Sequence, residues 1–278
     1  MCYNKNKHNE RDLPMNTQKL PSWWKGLSGN QIKLIAAACM LVDHFSKTTL
    51  IYFFSALKDA GRISPDCNAQ LFVVLHAVLY PIGAVAFPLF CYLFVEGYLH
   101  TRSKRKYFLR LALFALISEI PFDLTFFSGF AEMHGTYPFF WPYQNVMFTF
   151  LLAMCALFLI ERAEQISRRW LSWLLQAVVA LGMCSLAEFV IHCDYEGYGI
   201  FLAILFYVLR KKRIYQVLGA LAAMLIVYNP HPISMAVSMA LVLLYNGQRG
   251  ERNLKYFFYW FYPAHITGLL ILNTLLGA

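Results

Sequence analysis

KLIAAACMLVDHFSKTTLIYFF, residues 33–54, is apolar over enough length to cross a bilayer, whose hydrocarbon core takes about 20 helical residues. Yet Asp43 and His44 stand side by side near its centre, with Lys47 one turn on. Ionisable groups at that depth are costly and are functional candidates by default. Comparable apolar runs recur along the 278 residues, which are 59% hydrophobic and only 14% charged. A soluble domain carries about 25% charged residues. The sequence therefore predicts an all-α, polytopic transmembrane bundle. The alternating strands of about 10 residues that mark a membrane β-barrel are not seen.

Working outward, spans are expected near 32–54, 70–99, 106–122, 143–160, 170–192, 198–210, 214–228, 231–246 and 256–275, about nine in all with a range of eight to ten. The second is long enough to be kinked or broken at Pro81 and Pro88. Basic loops (HTRSKRKYFLR at 100–110, ERAEQISRR at 161–169, RKKR at 210–213, QRGERNLK at 248–255) alternate with loops nearly free of Lys and Arg. The positive-inside rule then puts the amino terminus in the cytoplasm and the chain in the cytoplasmic membrane. This placement also accounts for the net charge of +9 without a nucleic-acid partner. Residues 1–30 read as a polar cytoplasmic tail without a cleaved leader, with Trp23 and Trp24 as interfacial anchors, ahead of a single membrane domain at 31–278. The seven cysteines show no metal-ligand spacing, and no metal is expected; Cys67 and Cys193 share one side, where a disulfide is an option.

Lys33 and His44 lie eleven residues apart, close to three helical turns. Both project from one face, separated by about 16 Å along the axis. A cation at the cytoplasmic mouth and a deep imidazole suit a long anionic thioester such as acetyl-CoA. Asp43 sits about 100° round the helix from His44 and is better placed to meet Lys47 at i+4. The bland alternative is a His contact gluing helices and an Asp43–Lys47 pair in mutual neutralisation.

Glu96 and His100 form an i, i+4 pair before Arg102, Arg105 and Arg110. These cations can hold phosphates or be an ordinary cytoplasmic loop, and Glu96 needs a partner, for which Lys33 or Arg102 has suitable depth. In SEIPFD (118–123), Glu119 lies about 13 Å inward of Arg110. It can orient His44 as a carboxylate does in acyl-transfer triads. Asp123 lies beside Pro121, which is expected to end that helix; either acid can instead be structural. Gln144 and Asn145 can serve an oxyanion or join helices. His265 is a second candidate base. No G-x-S-x-G elbow, Walker loop or H-E-x-x-H helix is present.

KLIAAACMLVDH, AFPLFCYLFVEGYLHTRSKRKYFLRL, SEIPFD, QNVMFTF, CDYEGYG and YWFYPAH follow one another in an order that resembles the TraX family, over about residues 30–275. That family is named for a conjugation protein that N-acetylates the amino terminus of pilin. It is similar in turn to integral-membrane acyltransferases of surface sugars. Those carry a basic residue, ten positions and a His on the first span, and a PLF-type motif that Pro88–Phe90 echoes. Lys33 stands where Arg is usual, which gives up bidentate phosphate recognition but keeps a point charge. The resemblance implies acetyl-CoA as donor and matches Lys33 and His44; the residues' own chemistry adds Asp43 and Glu119 as catalytic candidates beside His44, and Glu96, Arg102, Arg105 and Arg110 as candidates around the donor. The acceptor is left open among a pilin-like peptide, a sugar and a lipid headgroup. A rival reading is a transporter or assembly factor with a Glu/His proton relay.

Overall fold

The computed structural model describes residues 26–228 and 231–276; Trp23, Trp24 and the rest of 1–25 lie outside them. The described residues are helical, with two isolated bridges and no strand among them. The helices are α1 (Gly29–Phe45), α2 (Ile51–Asp59), α3 (Pro65–Gly83), α4 (Ala86–His100), α5 (Lys104–Phe126), α6 (Ser128–Met133), α7 (Val146–Ala163), α8 (Arg169–Leu186), α9 (Glu196–Val208), α10 (Arg213–Ala223), α11 (Pro232–Leu244) and α12 (Lys255–Leu275). Four helical stretches, 29–59, 65–100, 146–163 and 169–191, are long and apolar enough to cross a membrane. Shorter apolar helices occupy 196–208, 213–227 and 232–244.

α1 starts at Gly29, inside the segment expected to be tail. Ser28 and Gln31 form a capping box there, each side chain serving the other's backbone N–H. Its remaining first-turn donors are met by a distant loop: Gly29 N–H donates to Gln248 O at 2.8 Å and Asn30 N–H to Arg249 O at 2.9 Å. That pairing carries Arg249 to the mouth of α1 beside Lys33. Just after His44 the helix widens into a π turn at Ser46–Leu50 before continuing as α2. Such insertions are frequent at functional sites. Thr49 Oγ1, buried within this turn, donates to Asn273 Oδ1 of α12 at 2.7 Å.

The expected second span is two helices meeting at Ala84–Val85. Pro88 cannot donate to the carbonyl four residues back and its ring crowds that position, so the ladder fails there. Gly83 closes α3 because a Cβ would lie 2.3 Å from the Asp43 carboxylate. The expected end at Pro121 is not found: α5 runs through it to Phe126. A membrane helix tolerates proline where neighbouring helices enclose it.

α4 is the central post, with Leu89, Cys91, Tyr92, Val95 and Tyr98 almost fully buried. It packs on α1, α9 and α11, while α7 packs on α5, α8 and α9, and α12 on α5 and α1. Large apolar side chains cover the outside, as on α8 with Trp170, Trp173, Val178 and Leu181. In water such a surface would drive association; in lipid it is the ordinary boundary. Cys67 and Cys193 are both free thiols, so the optional disulfide is not made.

Candidate functional site

A cavity of about 1280 Å³ runs through the bundle. At the end formed by the start of α1, the end of α4 and the start of α5 it is lined by Lys33, Arg102, Lys106, Arg110 and Arg249. Deeper in, Met40, Phe90, Phe122, Phe126 and Met147 make an apolar waist around His44. At the far end stand Asp43, Lys47, Glu188, Asp194 and Glu196. Lys33 and His44 therefore open onto one cavity, as their eleven-residue spacing predicts.

The hydrogen bonds assign the tautomer of His44. His265 Nδ1 lies 2.7 Å from the Phe261 carbonyl, which can only accept, so this nitrogen carries the proton. In the neutral ring His265 Nε2 is then an acceptor, and His44 Nδ1, 2.8 Å away, donates to it. The lone pair of His44 is left on Nε2. The two imidazoles stack with centroids 5.0 Å apart and 17° between planes, while Phe126 stands edge-on to His44 at 5.2 Å. A relay of carbonyl, imidazole and imidazole thus holds a base against an apolar chamber.

This arrangement corrects the expectation for Glu119. Its carboxylate accepts from the Asn145 backbone N–H at 3.3 Å and from the Asn145 side-chain amide. His44 takes its orienting partner from α12 instead. Asn145 in turn caps α7, accepting from Met147 N–H at 2.9 Å, and donates to the Ala115 carbonyl. The oxyanion role offered for Asn145 has no spare donor; Gln144 gives one amide hydrogen to Trp141 O and does not line the cavity. Asp123 accepts from Phe140 N–H at 2.8 Å, which anchors the 134–145 loop. Asn145→Ala is expected to cost about 1–2 kcal/mol as a lost cap. The half-buried Glu119 left without its amide adds to this, and a lower Tm of the detergent-solubilised protein is the check.

Asp43 pairs with Lys47 at 2.8 Å, as their i, i+4 spacing predicts, and the ammonium also faces the Tyr80 ring. Asp43, offered as a catalytic candidate, lines the cavity with its carboxylate held by Lys47. Glu96 is buried on the cavity wall, where its neighbours are His100, Arg213 and Tyr245 rather than the anticipated Lys33 or Arg102. Arg105 is exposed and lies away from the cavity lining, while Arg102 and Arg110 border it. Lys104 and Arg210 are bound to Glu161 and Glu164 on the same end of the bundle.

The far end is built by CDYEGYG (193–199). His192, Tyr195 and Glu196 take φ of 52°, 63° and 41°, unusual for side chains with a Cβ and each costing about 1–3 kcal/mol. The loop is held by Asp194 N–H donating to Gln144 O at 2.8 Å and by Tyr195 stacking on Phe87 at 3.6 Å. Burial raises the Asp194 carboxyl to about 6, against the pull of Lys47. Asp194, Arg249 and Tyr262 were not singled out by sequence. Arg249 arrives through backbone pairing that no local pattern encodes, and Tyr262 was legible only as the residue one turn before His265.

No group of metal-ligating side chains occurs among the described residues. The sequence matches the model of a family described as "TraX protein" over residues 28–273. It is 28% identical over 257 residues to the Dichelobacter nodosus protein named "Probable fimbrial assembly protein FimC, serogroup H1", covering 86% of this chain and 93% of that one. No solved structure matches it.

Proposed function

From the premise that this chain belongs to the TraX family, we propose that it is a multi-pass acetyltransferase of the cytoplasmic membrane, associated with pilus or fimbrial assembly. It moves an acetyl group from acetyl-CoA to an amine or hydroxyl of an envelope-associated acceptor. The observation that carries the reading is the His44–His265 relay, with His44 bordering a cavity that is lined by cations at one end.

In this reading the chain crosses the membrane about nine times from a cytoplasmic amino terminus, so the basic mouth opens inside the cell, where acetyl-CoA is found. The donor's phosphates rest near Lys33, Arg102 and Arg249, and its pantetheine arm follows the apolar waist inward. His44 Nε2 removes the acceptor's proton as the acceptor attacks the thioester. The proton then passes to the departing thiolate. Direct transfer is preferred over an acetyl-histidine intermediate because one cavity admits both substrates to the imidazole.

A charge-assisted contact contributes about 1.5–3 kcal/mol, or roughly ten- to a hundredfold in affinity. Lys33→Glu is therefore expected to raise the KM for acetyl-CoA at least tenfold with kcat nearly unchanged. Radiolabel transfer into envelope material in inverted membrane vesicles measures both; an unaltered KM removes Lys33 from the donor site.

The name of the fimbrial relative favours a second reading, an assembly factor without chemistry. Purified protein separates the two. Saturable acetyl-CoA binding supports the enzyme, and its absence supports the assembly factor.

A further inference from the structure

Acyl transfer needs more than a base. As the acceptor attacks, the carbonyl oxygen of the thioester becomes an oxyanion, and a preorganised donor must sit about 3 Å from it. Asn145 spends both amide hydrogens on the Ala115 and Glu119 oxygens, Gln144 gives one of its two to Trp141 O, and neither residue lines the cavity. Lys47 is held by Asp43 at 2.8 Å. The waist around His44 is otherwise largely aromatic and apolar.

Tyr262 differs from these neighbours. It precedes His265 by three residues on α12, so both side chains lie on one face of that helix. Its ring stands edge-on to both imidazoles, with centroids 6.3 Å from His44 and 5.6 Å from His265. It lines the cavity, is only 4% exposed, and its hydroxyl proton has no acceptor among the described residues, the Val146 N–H being directed at its oxygen. A buried phenol without a partner costs about 1–3 kcal/mol. Burial of an unsatisfied polar group beside a poised base is the signature of a site completed by its ligand.

We propose that Tyr262 is the oxyanion donor, its hydroxyl giving a hydrogen bond to the acetyl carbonyl oxygen of the bound thioester. The inference rests on the acetyltransferase reading above. The step balances without another reactant. The acceptor's nitrogen or oxygen bonds to the acetyl carbon, its proton goes to His44 Nε2, and the carbonyl electron pair moves onto the oxygen facing Tyr262. Collapse breaks the carbon–sulfur bond, and His44 returns the proton to the thiolate as CoA leaves. Tyr262 keeps its own proton throughout.

Tyr262→Phe keeps the ring against both imidazoles and removes only the hydroxyl. Single-turnover transfer from acetyl-CoA in membrane vesicles is expected to fall about 10²–10³-fold, the loss typical of one oxyanion donor, with the KM for acetyl-CoA within about twofold of wild type. A second measurement does not depend on turnover. Acetyl-CoA labelled with carbon-13 at the carbonyl is bound to full-length His44→Ala, and its infrared stretch is compared with that in His44→Ala/Tyr262→Phe. The band is expected at lower frequency where the hydroxyl is present. Equal bands, or an undiminished single-turnover rate in Tyr262→Phe, overturn the role of Tyr262 while leaving the enzyme reading intact. Undiminished transfer by His44→Ala overturns that reading itself.

Discussion

His44→Ala is expected to lower acetyl transfer by about 10³-fold or more, since general-base catalysis alone contributes about 10²–10⁴. The protein should still fold. The imidazole borders a cavity rather than filling a close-packed layer, and its side-chain hydrogen bond among the described residues is to His265. His265 then loses a donor but keeps its own bond to the Phe261 carbonyl. Donor binding should persist, because the charges proposed to hold the phosphates lie about three turns away. The measurement is transfer and acetyl-CoA affinity side by side: the first collapses and the second does not. Loss of both would point instead to a disrupted fold.

His265→Phe carries the second largest expected effect, about 10²–10³-fold in kcat. His44 needs its proton on Nδ1 so that Nε2 can act, and His265 Nε2 is the acceptor that keeps it there. Removing the orienting partner of a catalytic histidine costs about 10⁴ in serine proteases, where the wrong tautomer results. A smaller loss is expected here because His265 is uncharged in the relay and supplies orientation without a counter-charge. Phenylalanine preserves the stack between His44 and Phe261 but accepts nothing. His265→Gln offers a carbonyl oxygen in a similar place and is expected to restore part of the rate. Equal losses in the two variants would mean that bulk, not hydrogen bonding, is the contribution of His265.

Class and depth were legible because both are carried by local pattern. Apolar length announces membrane helices, and 3.6-residue periodicity put Lys33 and His44 on one face and paired Asp43 with Lys47. The partner of His44 was not legible, since His265 lies 221 residues downstream of it and only packing decides which polar group it meets. Glu119 had the right chemistry and depth, but the helix cap at Asn145 claims it first. Orphan amides at a buried helix start must be satisfied before an acid is spared for chemistry. Pro121 misled in the other direction. A proline ends most helices in water, yet within a bundle the surrounding helices hold α5 together through it.

One measurement tests the central claim, that an acyl donor reaches His44 from the basic mouth: a cryo-electron microscopy map of the full-length protein with a non-hydrolysable acetyl-CoA analogue. The phosphates are expected among Lys33, Arg102 and Arg249, and the acyl carbon within attack distance, about 3–3.5 Å, of a group in contact with His44 Nε2. An analogue bound outside the cavity, or an empty cavity at saturating analogue, would contradict the account.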